Sequence, residues 1–273
     1  MKLGIFAKTF PGTTPLEVLQ AAASAGYASV QYNLACSGLS ALPEVVTSEI
    51  AQAVREASAT TGVEIAAISA TYNMTHPDLS KRKTGRESFA AMAAQAHAMG
   101  ANLLTVCSGS MDAQDQWRHH PLNDSSGAWA AMMDEFNALI AIADRHDILI
   151  GVEPELANVV SSAKKARCLV ESLGSDRIRI VLDPANLAEV TAPSDRRNII
   201  AEAINLLADR IVMAHAKDRN ADGSFATAGK GVIDFPHFLR ELEAAGFNGS
   251  LVTHGLADAE AAEVATFLKA VMS

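Results

Sequence analysis

A chain of 273 residues with 49% hydrophobic content has the material for one large core, and its length lies near the roughly 250 residues typical of an α/β barrel. A formal net charge of −9, with no basic run longer than residues 81–83, excludes nucleic acid as an expected partner, because such a chain repels a phosphate backbone. Cys36, Cys107 and Cys168 are odd in number and far apart with no CxxC spacing, which excludes a disulfide framework and a thiolate zinc site and leads us to expect a reducing cytoplasm.

The chain opens with a strand at 2–7, where the basic start and long apolar stretch of a signal peptide are missing, so an unexported protein is expected. A helical pattern at 15–25 follows, then strand 29–32, helix 44–60, strand 64–70, helix 85–99, strand 102–107 and helix 128–144. The second half repeats the rhythm, with strands 149–153, 178–183, 211–215 and 250–254 alternating with helices 163–173, 198–207, 236–245 and 260–272. Gly26, Gly62, Gly100, Gly174 and Gly246 directly follow helices, where a left-handed residue ends the last turn. After the first strand the sequence reads Thr9-Phe10-Pro11-Gly12 instead of GxGxxG, which favours a closed (β/α)8 TIM barrel over an open dinucleotide-binding sheet. No linker divides the chain, so residues 1–273 are expected to form a single domain. No segment approaches the ~20 apolar residues needed to cross a bilayer, and no membrane partner is expected.

In a barrel the chemistry sits where strands end, so the residues closing each apolar run are informative. Four late strands close with metal-capable side chains: Glu153, Asp183, His215 and His254. A carboxylate ending a buried strand costs several kcal/mol unless it is paired or binds a cation. Each residue alone has an ordinary reading: Asp183 before Pro184 can begin a turn or cap a helix, and His215 can be a hydrogen-bonded core histidine. Together they point to one bound metal.

The stretches GVEPE at 151–155, VLDPAN at 181–186, HAKD at 215–218, GKGVIDF at 229–235 and GFNGSLVTHG at 246–255 resemble the xylose isomerase-like barrel superfamily of sugar isomerases, epimerases and inosose dehydratases, which also includes endonuclease IV. The resemblance covers nearly the whole chain. It implies a metal held by Glu153, Asp183, His215 and the end of the last strand, and a sugar or polyol as the small-molecule substrate. His254 stands where the epimerases usually carry Glu, and Asn186 stands where a His is frequent. The loops holding Asn73 and His76, and Trp117, His119, His120 and Asn123, resemble the superfamily's pocket loops.

With Glu153 and Asp183 as the only anionic ligands, a divalent ion would be about neutral overall and a strong Lewis acid. Two imidazoles shift the expected metal from Mg toward Mn, Co, Fe or Zn. A two-glutamate epimerase mechanism is in doubt, since a ligating His254 has already used its nitrogen. Glu155 and Lys217, each two residues beyond a ligand, are candidates for the proton relay beside Glu153 and His254, although Glu155 can equally pair with Lys217 or Arg219. Asn73, His76, Trp117, Asn186 and Arg219 are the expected substrate contacts. Gln31 and Asn33 can line the mouth or merely cap it, and Lys230 is a conceivable anion contact. The expected activity is isomerisation or epimerisation of a hydroxy-ketone by proton abstraction beside a metal-polarised carbonyl. Dehydration of a cyclic polyol ketone, a non-catalytic sugar-binding barrel and, last, endonuclease IV-like hydrolysis are the alternatives. Trp117, Trp129 and Phe136 can pack on a second copy in a homo-oligomer, but a helix–barrel contact is the simpler expectation.

Overall fold

The computed structural model describes residues 1–188 and 191–272. Strands β1 (Lys2–Phe6), β2 (Ser29–Tyr32), β3 (Glu64–Ser69), β4 (Leu103–Cys107), β5 (Leu149–Glu153), β6 (Ile178–Leu182) and β7 (Ile211–Ala216) are followed by a short antiparallel hairpin, β8 (Asp218–Arg219) and β9 (Phe225–Ala226), and by β10 (Ser250–Thr253). All but the hairpin pair in parallel and close into a ring in the order β1-β10-β7-β6-β5-β4-β3-β2, the eight-stranded barrel expected from the sequence. Such strands are covered on both faces, and β2 and β4 are buried along their whole length, although β2 carries Ser29 and Gln31 and β4 carries Thr105.

Helices α1 (Pro15–Ser24), α2 (Ser48–Thr61), α3 (Leu79–Met99), α4 (Ser126–His146), α5 (Ala163–Leu173), α6 (Pro184–Ala188), α7 (Arg196–Leu207), α8 (Phe235–Ala244) and α9 (Ala261–Met272) form the outer layer. Phe89, Phe136, Phe235 and Phe238 fill the space between helices and barrel, and Trp129 packs at the edge of that core, so the helix–barrel reading holds for Phe136 and Trp129 and fails for Trp117, which is 52% exposed and outside the core. None of the described helices is long and apolar enough to cross a membrane. The five helix-ending glycines all have positive φ, and Asp147, with φ 52°, ends α4 in the same way without being glycine.

Most boundaries lie within two residues of the sequence reading, and two helix starts differ by more. Helix α3 begins at Leu79 and not at Gly85, because the Asp78 carboxylate accepts the Ser80 N–H at 2.8 Å and caps the helix earlier. Gly85 is an interior residue whose missing side chain makes room for the Tyr72 ring. Helix α2 begins at Ser48, capped by Thr47, and not at Glu44. The β8–β9 hairpin was not expected.

Inside the ring, Ala67, Leu103, Val181, Met213 and Val252 form one apolar cluster. Nearer the carboxyl ends the interior turns polar: Gln31, Thr105, Glu153 and His215 are buried and meet across the ring. That switch places the site.

Candidate metal centre

Glu153 ends β5, Asp183 follows β6, His215 lies in β7 and His254 follows β10, so adjacent parallel strands deliver all four side chains to one end of the barrel. One ligand atom from each lies within 4.8 Å of the others. His215 Nδ1 stands 3.1 Å from Glu153 Oε1, 3.8 Å from Asp183 Oδ2 and 3.3 Å from His254 Nε2. The sequence therefore picked four residues that converge.

Asp183 combines both of its readings. Its Oδ1 accepts the Ala185 N–H at 2.8 Å and begins α6, while Oδ2 is buried with no aligned hydrogen-bond donor, although the Lys217 ammonium stands 3.0 Å away. Lys217 also lies 3.6 Å from Glu155 and 4.0 Å from Glu153. Three carboxylates thus face one ammonium in a buried space, and a divalent cation beside Lys217 would balance them with both imidazoles neutral. The converging oxygen and nitrogen donors, and three carboxylates against one ammonium, together make the cluster fit such an ion.

Electrostatics divides the roles. Burial pushes the Glu153 and Asp183 carboxyls up, but the charges of His215 and Lys217 outweigh it and hold both below the ordinary carboxylate range. For Glu155, burial and the neighbouring Glu153 charge win over Lys217 and raise the carboxyl to about 7. His254 is pushed down to about 3 by burial and by the positive charges of His215 and Lys217, so its ring is neutral near neutral pH. Burial lowers His215 as well, but there the Glu153 and Asp183 carboxylates prevail and raise it to about 9.

Gln31, left by the sequence between lining and capping, has a defined place. Its Nε2 donates to Thr105 Oγ1 at 2.8 Å, which turns Oε1 toward His215 Nε2 at 2.9 Å. The Nε2–H of His215 is thereby engaged, and Nδ1 is the nitrogen that faces the cluster. A single amide in an apolar strand carries no spacing that would reveal this.

The remaining candidates separate into two groups. Trp117 is 52% exposed and lines the cavity that holds Glu153, His215 and His254. Asn186 donates from Nδ2 to Glu153 Oε1 and to the Pro154 carbonyl, both at 3.1 Å, so it bears on Glu153 directly. Asn73 and His76 line a neighbouring cavity, with their polar atoms bonded within the loops: Asn73 Oδ1 accepts the Ser110 N–H, and the His76 ring contacts the Ala113 carbonyl and the Asp78 N–H. Arg219 donates to the Ala185 and Gly223 carbonyls and stacks on Phe225, 4.3 Å from the ring centre, so it shapes the loop after β7. Asn123 is buried and ties loops together, His120 caps a short helical turn, and Lys230 pairs with Glu260 and Glu263 on the surface. Cys107 lines the inner cavity with its thiol pushed well up by burial and by Glu153, and burial likewise raises Cys36 to about 11, as expected of inert residues.

A closed parallel barrel with acids and imidazoles gathered at its carboxyl end is the architecture of a recognisable class. The xylose isomerase-like TIM barrel family matches residues 19–271, and the chain belongs to that family. Among solved structures it is similar to the 3-keto-D-glucoside 4-epimerase of E. coli, with a TM-score of 0.79, 16% identity and 99% of each chain covered. It is similar to the D-psicose 3-epimerase of Clostridium cellulolyticum H10, with a TM-score of 0.77, 14% identity and 100% of each chain covered. It is also similar to a zinc-bound IolI protein, with a TM-score of 0.75, 17% identity, and 100% of this chain and 98% of that one covered. No curated protein matches the sequence. At these identities the structural likeness establishes the fold.

Proposed function

We propose that the chain is a divalent-metal-dependent isomerase or epimerase of a sugar or sugar-like hydroxy-ketone. The observation that carries this reading is the approach of Glu153, Asp183, His215 and His254 to within 4.8 Å of one another. The sugar epimerases among its structural neighbours and the zinc in the IolI protein support it. Mn, Co, Fe or Zn suits this donor set better than Mg, because it contains two imidazoles. The bound cation would polarise a substrate carbonyl and favour negative charge on the oxygens beside it.

In the metal-free protein Glu155 is raised to about 7; a cation on Glu153 would offset part of that rise and favour the carboxylate, the form a base needs, and Glu155 is the proposed base that removes the proton next to the carbonyl. Lys217 remains charged among the three carboxylates and stabilises the ionised form of Glu155 from 3.6 Å. Glu153 and His254 are assigned to the cation, and Asn186 holds Glu153 in place. Trp117 gives the apolar face of a sugar a surface on which to rest.

Dehydration of a polyol ketone is the second reading. One observation favours it: Glu155 and Lys217 place the proton-handling groups on the β5–β7 side, while the β10 end offers a neutral imidazole where a second base would stand.

Elemental analysis should find close to one equivalent of Mn, Co, Fe or Zn, lost in Asp183→Ala, and solvent deuterium should wash into a ketose substrate. Metal content unaffected by Asp183→Ala would defeat the assignment.

A further inference from the structure

Three cavities meet at the barrel mouth, and Trp117 lines each of them. The inner one, 220 Å³, contains Glu153, His215 and His254. An outer one, 590 Å³, is walled by Glu155, Leu156, Ala157, Asp115, Arg118 and His119. By itself the inner space is smaller than the roughly 300–1,000 Å³ of ordinary small-molecule sites, and the outer space brings it into that range. Glu155 lines the outer cavity and Glu153 the inner, and Trp117 is the residue that the two share.

The loop that presents Trp117 is held more firmly than an exposed loop needs. Asn158, buried, donates to the Gln116 carbonyl at 2.9 Å and accepts the Gly109 N–H at 2.9 Å. Asn123, also buried, accepts the Met111 N–H at 2.8 Å and donates to the Ala157 carbonyl at 2.7 Å. Asp115 accepts the Trp117 N–H at 2.9 Å, and Asp112 takes two hydrogen bonds from the Arg118 guanidinium, at 2.6 and 2.8 Å. A large aromatic ring left in water on a backbone fixed from both sides is a preorganised binding surface. Because Arg118 is committed to Asp112, the outer wall favours a neutral group over a phosphate.

We propose that the outer cavity is a second subsite and that the substrate is a glycosyl-ketose, a ketose that carries a second sugar on a hydroxyl and keeps its own carbonyl free. Its keto-sugar part lies in the inner cavity and a second, uncharged ring rests on Trp117. The inference rests on the function proposed above and adds to it the substrate's size and charge.

Zinc-supplemented protein would be titrated with D-fructose and with turanose, maltulose, leucrose and isomaltulose, glucosyl-fructoses that keep a free ketone. At least one disaccharide should bind about tenfold more tightly than fructose. Trp117→Ala should bring that ratio close to one, and Trp117→Phe should retain most of it. Equal affinities across the panel, no binding by any member, or an undiminished preference in Trp117→Ala would each overturn the subsite. Deuterium wash-in separates the two claims. Equal binding accompanied by exchange sinks the subsite and leaves the reaction standing, whereas a preferred disaccharide with no exchange into any ketose sinks the reaction and leaves the subsite.

Discussion

His215 has two ring nitrogens, and the one that faces its neighbours in the cluster is selected from across the barrel by Gln31, through a contact of 2.9 Å. Replacing Gln31 by Leu removes the acceptor for Nε2–H, lets the ring change tautomer and should weaken metal binding by about 10–100-fold, read by titration calorimetry. Gln31→Glu retains an acceptor and should bind at least as tightly as wild type, so equal affinity in the Leu variant would refute the positioning role. Proton linkage tests the same ring. In the metal-free protein His215 is raised to about 9, so it carries a proton near neutrality that must leave when Nδ1 takes a cation. Protons then compete with the metal, and apparent affinity should climb with pH between about 6 and 8, with proton release visible in buffers of different ionisation enthalpy. A flat profile over that range would remove His215 from the ligand set.

The strands were legible because parallel strands covered on both sides are mostly apolar, so the polar residue that closes one stands out; Glu153 after Ile150-Gly151-Val152 and Asp183 after Ile180-Val181-Leu182 were found in this way. The segment after β7 was not legible, because its order comes from contacts that have no period. Asp218, fully buried, accepts the backbone N–H groups of Arg219, Gly229, Gly231 and Ile233 at 2.8–3.0 Å, and it thereby folds the loop 227–233 back under the β8–β9 hairpin. Gly231 fits there because a side chain would meet the Asp218 carboxylate and the Arg219 carbonyl. Spacing in HAKD and GKG marks both residues without revealing that one carboxylate serves the whole loop. Asp218→Ala leaves the buried amides of Arg219 and Ile233, and those of the exposed Gly229 and Gly231, without this acceptor, and should cost about 2–4 kcal/mol in urea unfolding, more than a surface substitution does. A loss below about 0.5 kcal/mol would mean that the loop holds its shape by other means.

Strands far apart in sequence bring carboxylates and imidazoles into one buried volume, so the barrel as a whole bears the cost of holding like charges together. Lys217 relieves part of that cost, since its ammonium reaches Glu153, Glu155 and Asp183, and a divalent cation on the four converging side chains would relieve the rest. Binding to the folded chain alone couples to its stability: metal at about one hundred times its Kd adds about 2.7 kcal/mol. For a barrel of this size that amounts to a rise in Tm of roughly 5 °C or more on adding Mn or Zn to chelator-treated protein. The rise should vanish in Asp183→Ala, which removes the buried Oδ2 that lacks an aligned donor. His254→Glu should keep the rise, because it exchanges one metal-capable donor for another and adds a negative charge that attracts the cation. If His254→Glu abolished the shift while the fold survived, the imidazole at the end of β10 would be holding the cluster together in some way other than by coordination.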